Sequence, residues 1–235
     1  MNVRWAWLLL AIGTGCGATV PPGDISDVET DRLNETWWAA RHKIKRELKG
    51  YRVAFVGDSI TQGWEDVGRH FWTNTLAEFK AENFGYSGDR TPHVLWRFAH
   101  GEVLPQKPEV IVLMIGTNNV GHKVNTPAET VVGIRQILAR IHRDCPDTKV
   151  LLLAVFPRGS QHDDPMRKAV VEINEQLAKV SHPKVTYRDY GASFTNPDGT
   201  LKGELMPDAL HLNEAGYQIW AERLLPDLRR LLGTR

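Results

Sequence analysis

Four short stretches carry residue types that together could perform acyl transfer: Gly57-Asp58-Ser59-Ile60, Gly85-Tyr86-Ser87-Gly88-Asp89, Gly116-Thr117-Asn118-Asn119 and Asp208-Ala209-Leu210-His211. A serine hydroxyl at neutral pH is a weak nucleophile. It needs a base to take its proton, and the base needs a partner that fixes its tautomer. Asp208 and His211 offer both within one turn, since residues three apart there can face the same side and leave the second imidazole nitrogen for Ser59. The tetrahedral anion formed in such a reaction needs donors, and the Ser59 and Gly88 N–H groups with the Asn118 amide could supply them. Each residue also has an ordinary explanation. Ser59 could close a strand, Gly88 could be a turn glycine, and Asn118 could bond its own backbone. His211 is one of nine histidines, distinguished from the others by the company it keeps. Gly57 to Thr61 lacks the second glycine of a GxSxG nucleophile elbow, which excludes that arrangement.

These stretches need elements to bring them together. Apolar runs at Val53 to Val56, Ala81 to Phe84, Val110 to Ile115, Val150 to Val155 and Val185 to Tyr187 read as five strands. Helical patterns separate them, most clearly Pro127 to Arg143, with Val131, Ile134, Leu138 and Ile141 on one face. An opening helix is expected over Asp31 to Lys49, closed by Gly50, and a last helix capped by Asn213 and kinked or restarted by Pro226. Alternation of this kind predicts an α/β fold, a parallel sheet covered on both faces. Three of the four stretches directly follow a predicted strand. The carboxyl edge of such a sheet is where ligands bind, so the stretches should converge there.

The balance of 29 basic and 28 acidic side chains, with no basic cluster, argues against a nucleic-acid surface. Neither of the two cysteines, Cys16 and Cys145, sits in a metal-ligand spacing, and no metal or other cofactor is expected. Residues 1–18 have the pattern of an export signal: Arg4, a continuous apolar run from Trp5 to Ile12, then small residues. The run is shorter than the ~20 residues of a spanning helix. Gly15-Cys16 adds the expectation of a lipoprotein signal with lipidated Cys16 attaching the protein to a membrane, the competing outcome being cleavage after Ala18. The protein is thus expected to be exported to a periplasmic or extracellular site. Residues 19–50 are read as linker and first helix, and 51–235 as the catalytic domain.

In order and separation, GDSI, NFGYSGD, GTNN and DALH resemble the four blocks of the SGNH (GDSL-like) hydrolases, over about Tyr51 to Leu232. NFGYSGDRT, Val94-Leu95-Trp96-Arg97, Phe156-Pro157-Arg158-Gly159 and Leu210-His211-Leu212 are most similar to the platelet-activating-factor acetylhydrolase IB catalytic-subunit group. The resemblance implies a flavodoxin-like three-layer α/β/α fold with a five-stranded parallel sheet, no metal, and hydrolysis of short, commonly acetyl, esters. It implies Ser59 as nucleophile, His211 as base, Asp208 as orienter, and Ser59, Gly88 and Asn118 as oxyanion donors. Ala209 departs from the glycine of many relatives and is not expected to disturb the site. Trp64, Phe156, Arg158 and Leu212, near the motif ends, are expected to wall the substrate pocket, and substitution of Asn119 is expected to be mild. The substrate class is a small acyl ester, such as an acetylated carbohydrate or lipid, and the sequence is compatible with a homodimer. A lysophospholipase or thioesterase on the same scaffold is the alternative. A non-catalytic carbohydrate binder is a further one, using tryptophans such as Trp37 and Trp38 as platforms.

Overall fold

A computed structural model of the chain describes residues 28–234. The expected export signal, with its expected cleavage site and Cys16, lies outside these residues. Five parallel strands, β1 (Val53–Gly57), β2 (Ala81–Gly85), β3 (Val110–Met114), β4 (Lys149–Leu153) and β5 (Val185–Arg188), form one sheet in the order β2-β1-β3-β4-β5. The helices are α1 (Thr36–Lys45), α2 (Ser59–Gln62), α3 (Arg69–Phe71), α4 (Thr91–Ala99), α5 (Thr117–Gly121), α6 (Pro127–Asp144), α7 (Pro165–Leu177) and α8 (Glu214–Leu232). This is the expected flavodoxin-like α/β/α arrangement.

The two-residue period of a strand divides the core. Ala54, Val56, Ile111, Leu113, Val150 and Leu152 face α4, α6 and α7. Val53, Phe55, Val110, Val112, Leu151 and Leu153 face α8 and the segment carrying Trp64, Leu76 and Phe79. Local signals set the helix starts: Thr126 and Glu129 form a capping box on α6, and the Asn213 side chain accepts from the Gly216 N–H at α8.

Three expectations are corrected by tertiary packing. The opening helix begins only at Thr36, because the Asp31 carboxylate accepts from the Leu33 N–H and Arg32 is drawn away to the Ser87 loop. Helix α8 runs through Pro226 without restarting, its buried Trp220, Leu224 and Leu228 holding it on the sheet. Trp38 is fully buried among Tyr86, Trp96 and His42; Trp37 alone of that pair is exposed.

Candidate active site

Strand register places the motifs side by side. Gly57, the last residue of β1, pairs with Gly85 at the end of β2 and with Met114 at the end of β3. Helix α2 starts at once after β1, with Ser59 as its first residue and the Asp58 carboxylate accepting from the Ile60 N–H at 3.0 Å. Its far end is held by the Asn83 amide, which donates to the Thr61 carbonyl at 2.9 Å. Gly85 permits this seating: a Cβ there would lie 2.2 Å from the Gln62 nitrogen.

The three loops are then tied in sequence. Gln62 Oε1 accepts from the Ser87 N–H at 2.7 Å, and Asn118 Nδ2 donates to the Asp89 carbonyl at 3.0 Å. Between them Gly88 sits at φ +76°, a left-handed conformation that suits glycine. Neither the Gly88 nor the Ser59 N–H has an acceptor among the described residues. Asn118 is nearly buried, and one of its two amide hydrogens remains for a ligand.

His211 comes to this edge from the turn before α8. Its Nε2 lies 2.9 Å from Ser59 Oγ, and its Nδ1 lies 2.6 Å from Asp208 Oδ2. Asp208 Oδ1 accepts from the backbone N–H groups of His211 (2.7 Å) and Leu210 (3.0 Å). Burial opposes ionisation of Asp208, but these N–H groups and the imidazole outweigh it and hold the carboxyl below its usual range. An ionised Asp208 accepting from Nδ1–H leaves the Nε2 lone pair facing the serine hydroxyl.

Ala209 is the strained link, at φ +59°. An L-residue there costs about 1–2 kcal/mol, partly offset because glycine loses more freedom on folding. Ala209→Gly should therefore stabilise the protein by about 0.5–1 kcal/mol with activity unchanged. Thermal unfolding checks this, and a lower midpoint would contradict it.

The Gly88 loop rests on a buried ionic cluster that no local sequence pattern marks. Asp89, fully buried, accepts from Trp38 Nε1 (2.8 Å), Arg97 Nε (3.0 Å) and Arg32 Nη1 (3.0 Å). Arg97 continues to Glu102, which also receives the Tyr86 hydroxyl and His42. Burial pushes the Asp89 carboxyl up to about 6, opposed by Arg97, by the Trp38 N–H and by Arg32. Breaking such a buried cluster by removing one partner costs about 3–5 kcal/mol.

Asp58 is the second acid the sequence left unremarked. It is buried beside Ser59, and burial pushes its carboxyl up to about 7, opposed by the Ile60 N–H and by His211. A carboxyl raised from an ordinary value of about 4 binds an extra proton in the folded state, so stability falls as pH rises from about 4 to about 7. Asparagine keeps the capping oxygen and never ionises. Asp58→Asn should match the parent near pH 4 and exceed it by about 2 kcal/mol or more at pH 8. Denaturant unfolding across pH 4–8 tests this; a difference independent of pH would refute it.

Of the four residues expected to wall the pocket, three are in the core instead. Trp64 packs on Phe55, Tyr217 and Trp220; Phe156 packs on Phe194 and Trp220; Leu212 is buried in the same cluster. Burying an aromatic side chain stabilises the fold by about 1.5–3 kcal/mol, and these lie on the side of the sheet that α8 closes. Arg158 is at the edge: half-buried, it donates to the Thr117 carbonyl at 2.9 Å and lines a cleft of about 220 Å³ with Gly159, Asp164, Met166, Asp208, Ala209 and Leu210. Cys145 is a buried free thiol against the Leu104 carbonyl, remote from the site.

A five-stranded parallel sheet with a serine, a histidine and an asparagine gathered at its carboxyl edge is the framework of a hydrolase, and comparison with known proteins agrees. The model of the GDSL-like Lipase/Acylhydrolase family matches residues 55–219, and the chain belongs to this family. Human platelet-activating factor acetylhydrolase IB subunit alpha1 is 34% identical over 215 residues, 90% of this chain and 89% of the relative. The alpha2 subunit from Rattus norvegicus is 36% identical over 202 residues, covering 83% and 85%. Among solved structures, a GDSL-like lipase from Bacteroides thetaiotaomicron shares the fold with a TM-score of 0.70 at 20% identity, over 84% of this chain and 98% of that one. The acetylxylan esterase Axe2 from Geobacillus stearothermophilus shares it with a TM-score of 0.60 at 20% identity, covering 80% and 96%.

Proposed function

We propose that this acylhydrolase is a serine esterase that removes short acyl groups, acetyl above all, through an acyl-enzyme. The observation that carries the reading is the unbroken relay from Ser59 Oγ through His211 to Asp208, at 2.9 and 2.6 Å. His211 Nε2 takes the Ser59 proton as Oγ attacks the ester carbonyl. The Ser59 and Gly88 N–H groups and the Asn118 amide receive the negative charge that develops on oxygen. His211 then gives the proton to the departing alcohol, and water, deprotonated by His211 in turn, releases the acid and frees Ser59. Asp208 holds the imidazole in the required tautomer throughout.

Preference for a short acyl group is supported by what surrounds the relay. Asn118, Arg158 and Asp208 are polar or charged, and three large apolar side chains near the motif ends, Trp64, Phe156 and Leu212, are engaged in the core. Polar surroundings suit an acetylated carbohydrate, in keeping with the acetylxylan esterase among the fold relatives. Export, as expected from residues 1–18, would bring the enzyme to such a substrate outside the cytoplasm.

The test is kcat/KM on p-nitrophenyl acetate, butyrate and octanoate. An apolar channel would gain about 0.8 kcal/mol per buried methylene, roughly fourfold in rate for each. We expect the opposite, a fall of about tenfold or more from acetate to octanoate. A maximum at octanoate would reject the short-acyl reading in favour of a lysophospholipase or thioesterase.

A further inference from the structure

The sequence motifs leave one feature at the site unexplained: a guanidinium from outside the span that the family model matches. Arg32 precedes α1, yet its Nη1 donates to the Ser87 carbonyl at 2.7 Å and to Asp89 Oδ1 at 3.0 Å. Its Nε and Nη2 bind the two oxygens of Glu35 at 2.7 and 2.6 Å, and Trp37 Nε1 donates to Glu35 Oε2 at 3.1 Å. The guanidinium lies directly against Gly88, since a Cβ on that residue would be 3.2 Å from both Nη1 and Nη2. The segment is further tied down by the Thr30 N–H, which donates to the Pro92 carbonyl at 3.2 Å.

The carbonyl that Arg32 holds and the Gly88 N–H belong to the same peptide unit. In a planar trans peptide the C=O and N–H point in opposite directions, so fixing the oxygen fixes where the N–H points. A charged donor on the oxygen also polarises the amide and strengthens its N–H as a donor. The Asp89 N–H donates to the Tyr86 carbonyl at 3.0 Å and closes a turn whose central peptide is this one, but that bond does not hold the peptide's own C=O or N–H; Gly88 has no side chain to resist its rotation, and Gln62 holds the Ser87 N–H, one peptide earlier.

We infer that Arg32 is a positioning residue for acyl transfer, aiming and polarising the Ser87–Gly88 peptide so that its N–H meets the developing oxyanion. The inference rests on the reading of Gly88 as an oxyanion donor. The segment before the first strand is thereby a working part of the site. Because the N–H is needed chiefly when charge develops, the effect belongs to kcat and not to ground-state binding.

The test compares Arg32→Met, which keeps the length of the side chain but no donor, with Arg32→Lys and Arg32→Ala. Arg32→Met should lower kcat about tenfold or more with KM within about twofold. Its affinity for an alkyl boronic acid, whose adduct with Ser59 places a tetrahedral oxygen among the same donors, should fall by a similar factor. Arg32→Lys should lie between Met and wild type, and guanidinium ion at millimolar concentration should restore part of the Arg32→Ala rate. Wild-type kcat and boronate affinity in Arg32→Met would overturn the inference. If Arg32→Met does not fold, Arg32→Lys decides: kcat and boronate affinity lowered together at unchanged melting temperature support the role, and unchanged values overturn it. An active Ser59→Ala variant would instead reject the esterase reading beneath it, so the two failures are distinguishable.

Discussion

Ser59→Ala is expected to lower kcat by at least about 10³-fold while leaving the fold intact. Among the described residues the hydroxyl makes one hydrogen bond, to His211, and Ser59 is half-buried at the start of a four-residue helix capped by Asp58 and not by Ser59 itself. Its removal should therefore cost no more than about 1 kcal/mol of stability. Steady-state hydrolysis of p-nitrophenyl acetate and a thermal unfolding curve, measured on the same preparation, check both halves. Turnover within tenfold of the parent would take Ser59 out of the mechanism. His211→Ala should be nearly as damaging, because among the described residues His211 alone bonds to the serine hydroxyl. Asp208→Asn should retain more activity: the Asp208 side chain is 55% exposed, and water can screen and partly replace its orienting charge.

The second large effect is expected at Asn118. Asn118→Ala should lower kcat by about 10²- to 10³-fold with little change in KM, the signature of a donor used in the transition state and not in the ground state. A change confined to KM would make Asn118 a ground-state binding residue. The neighbouring Asn119, where the loss of turnover is expected to be much milder, has a structural role instead. It is completely buried, accepts from the Thr91 N–H at 3.2 Å, and donates to Thr91 Oγ1 at 2.9 Å and Asn125 Oδ1 at 2.8 Å. Asn119→Ala would remove these buried hydrogen bonds and should destabilise the protein by about 2–3 kcal/mol. The two adjacent asparagines are therefore separated by their readouts: a loss of turnover at 118, and a loss of melting temperature at 119.

Much of the architecture was legible in the residues because it rests on short-range physics. Continuous apolar runs flanked by glycine made β1 and β3 recognisable, and the Thr126–Glu129 capping box and the Asn213 cap marked the starts of α6 and α8. Strand ends followed at once by Gly57-Asp58-Ser59, Gly85 to Gly88 and Gly116 to Asn118 also located the site, since a parallel sheet brings its carboxyl ends to one edge whatever lies between them. The destination of individual side chains was decided by the tertiary structure. Nothing near Trp64, Phe156 or Leu212 in sequence distinguishes a pocket wall from a core residue; the choice was made by Trp220, Tyr217 and Phe194, brought across by α8 and the loops before it. The burial of Asp58 and of Asn119 likewise depends on elements that pack over them. Arg32 bonds to a carbonyl 55 residues away, and Ser59 to a histidine 152 residues away. Apolar periodicity and capping act within a few residues and can be read along the chain, whereas contacts between distant segments exist only once hydrophobic burial has folded the sheet and its helices together.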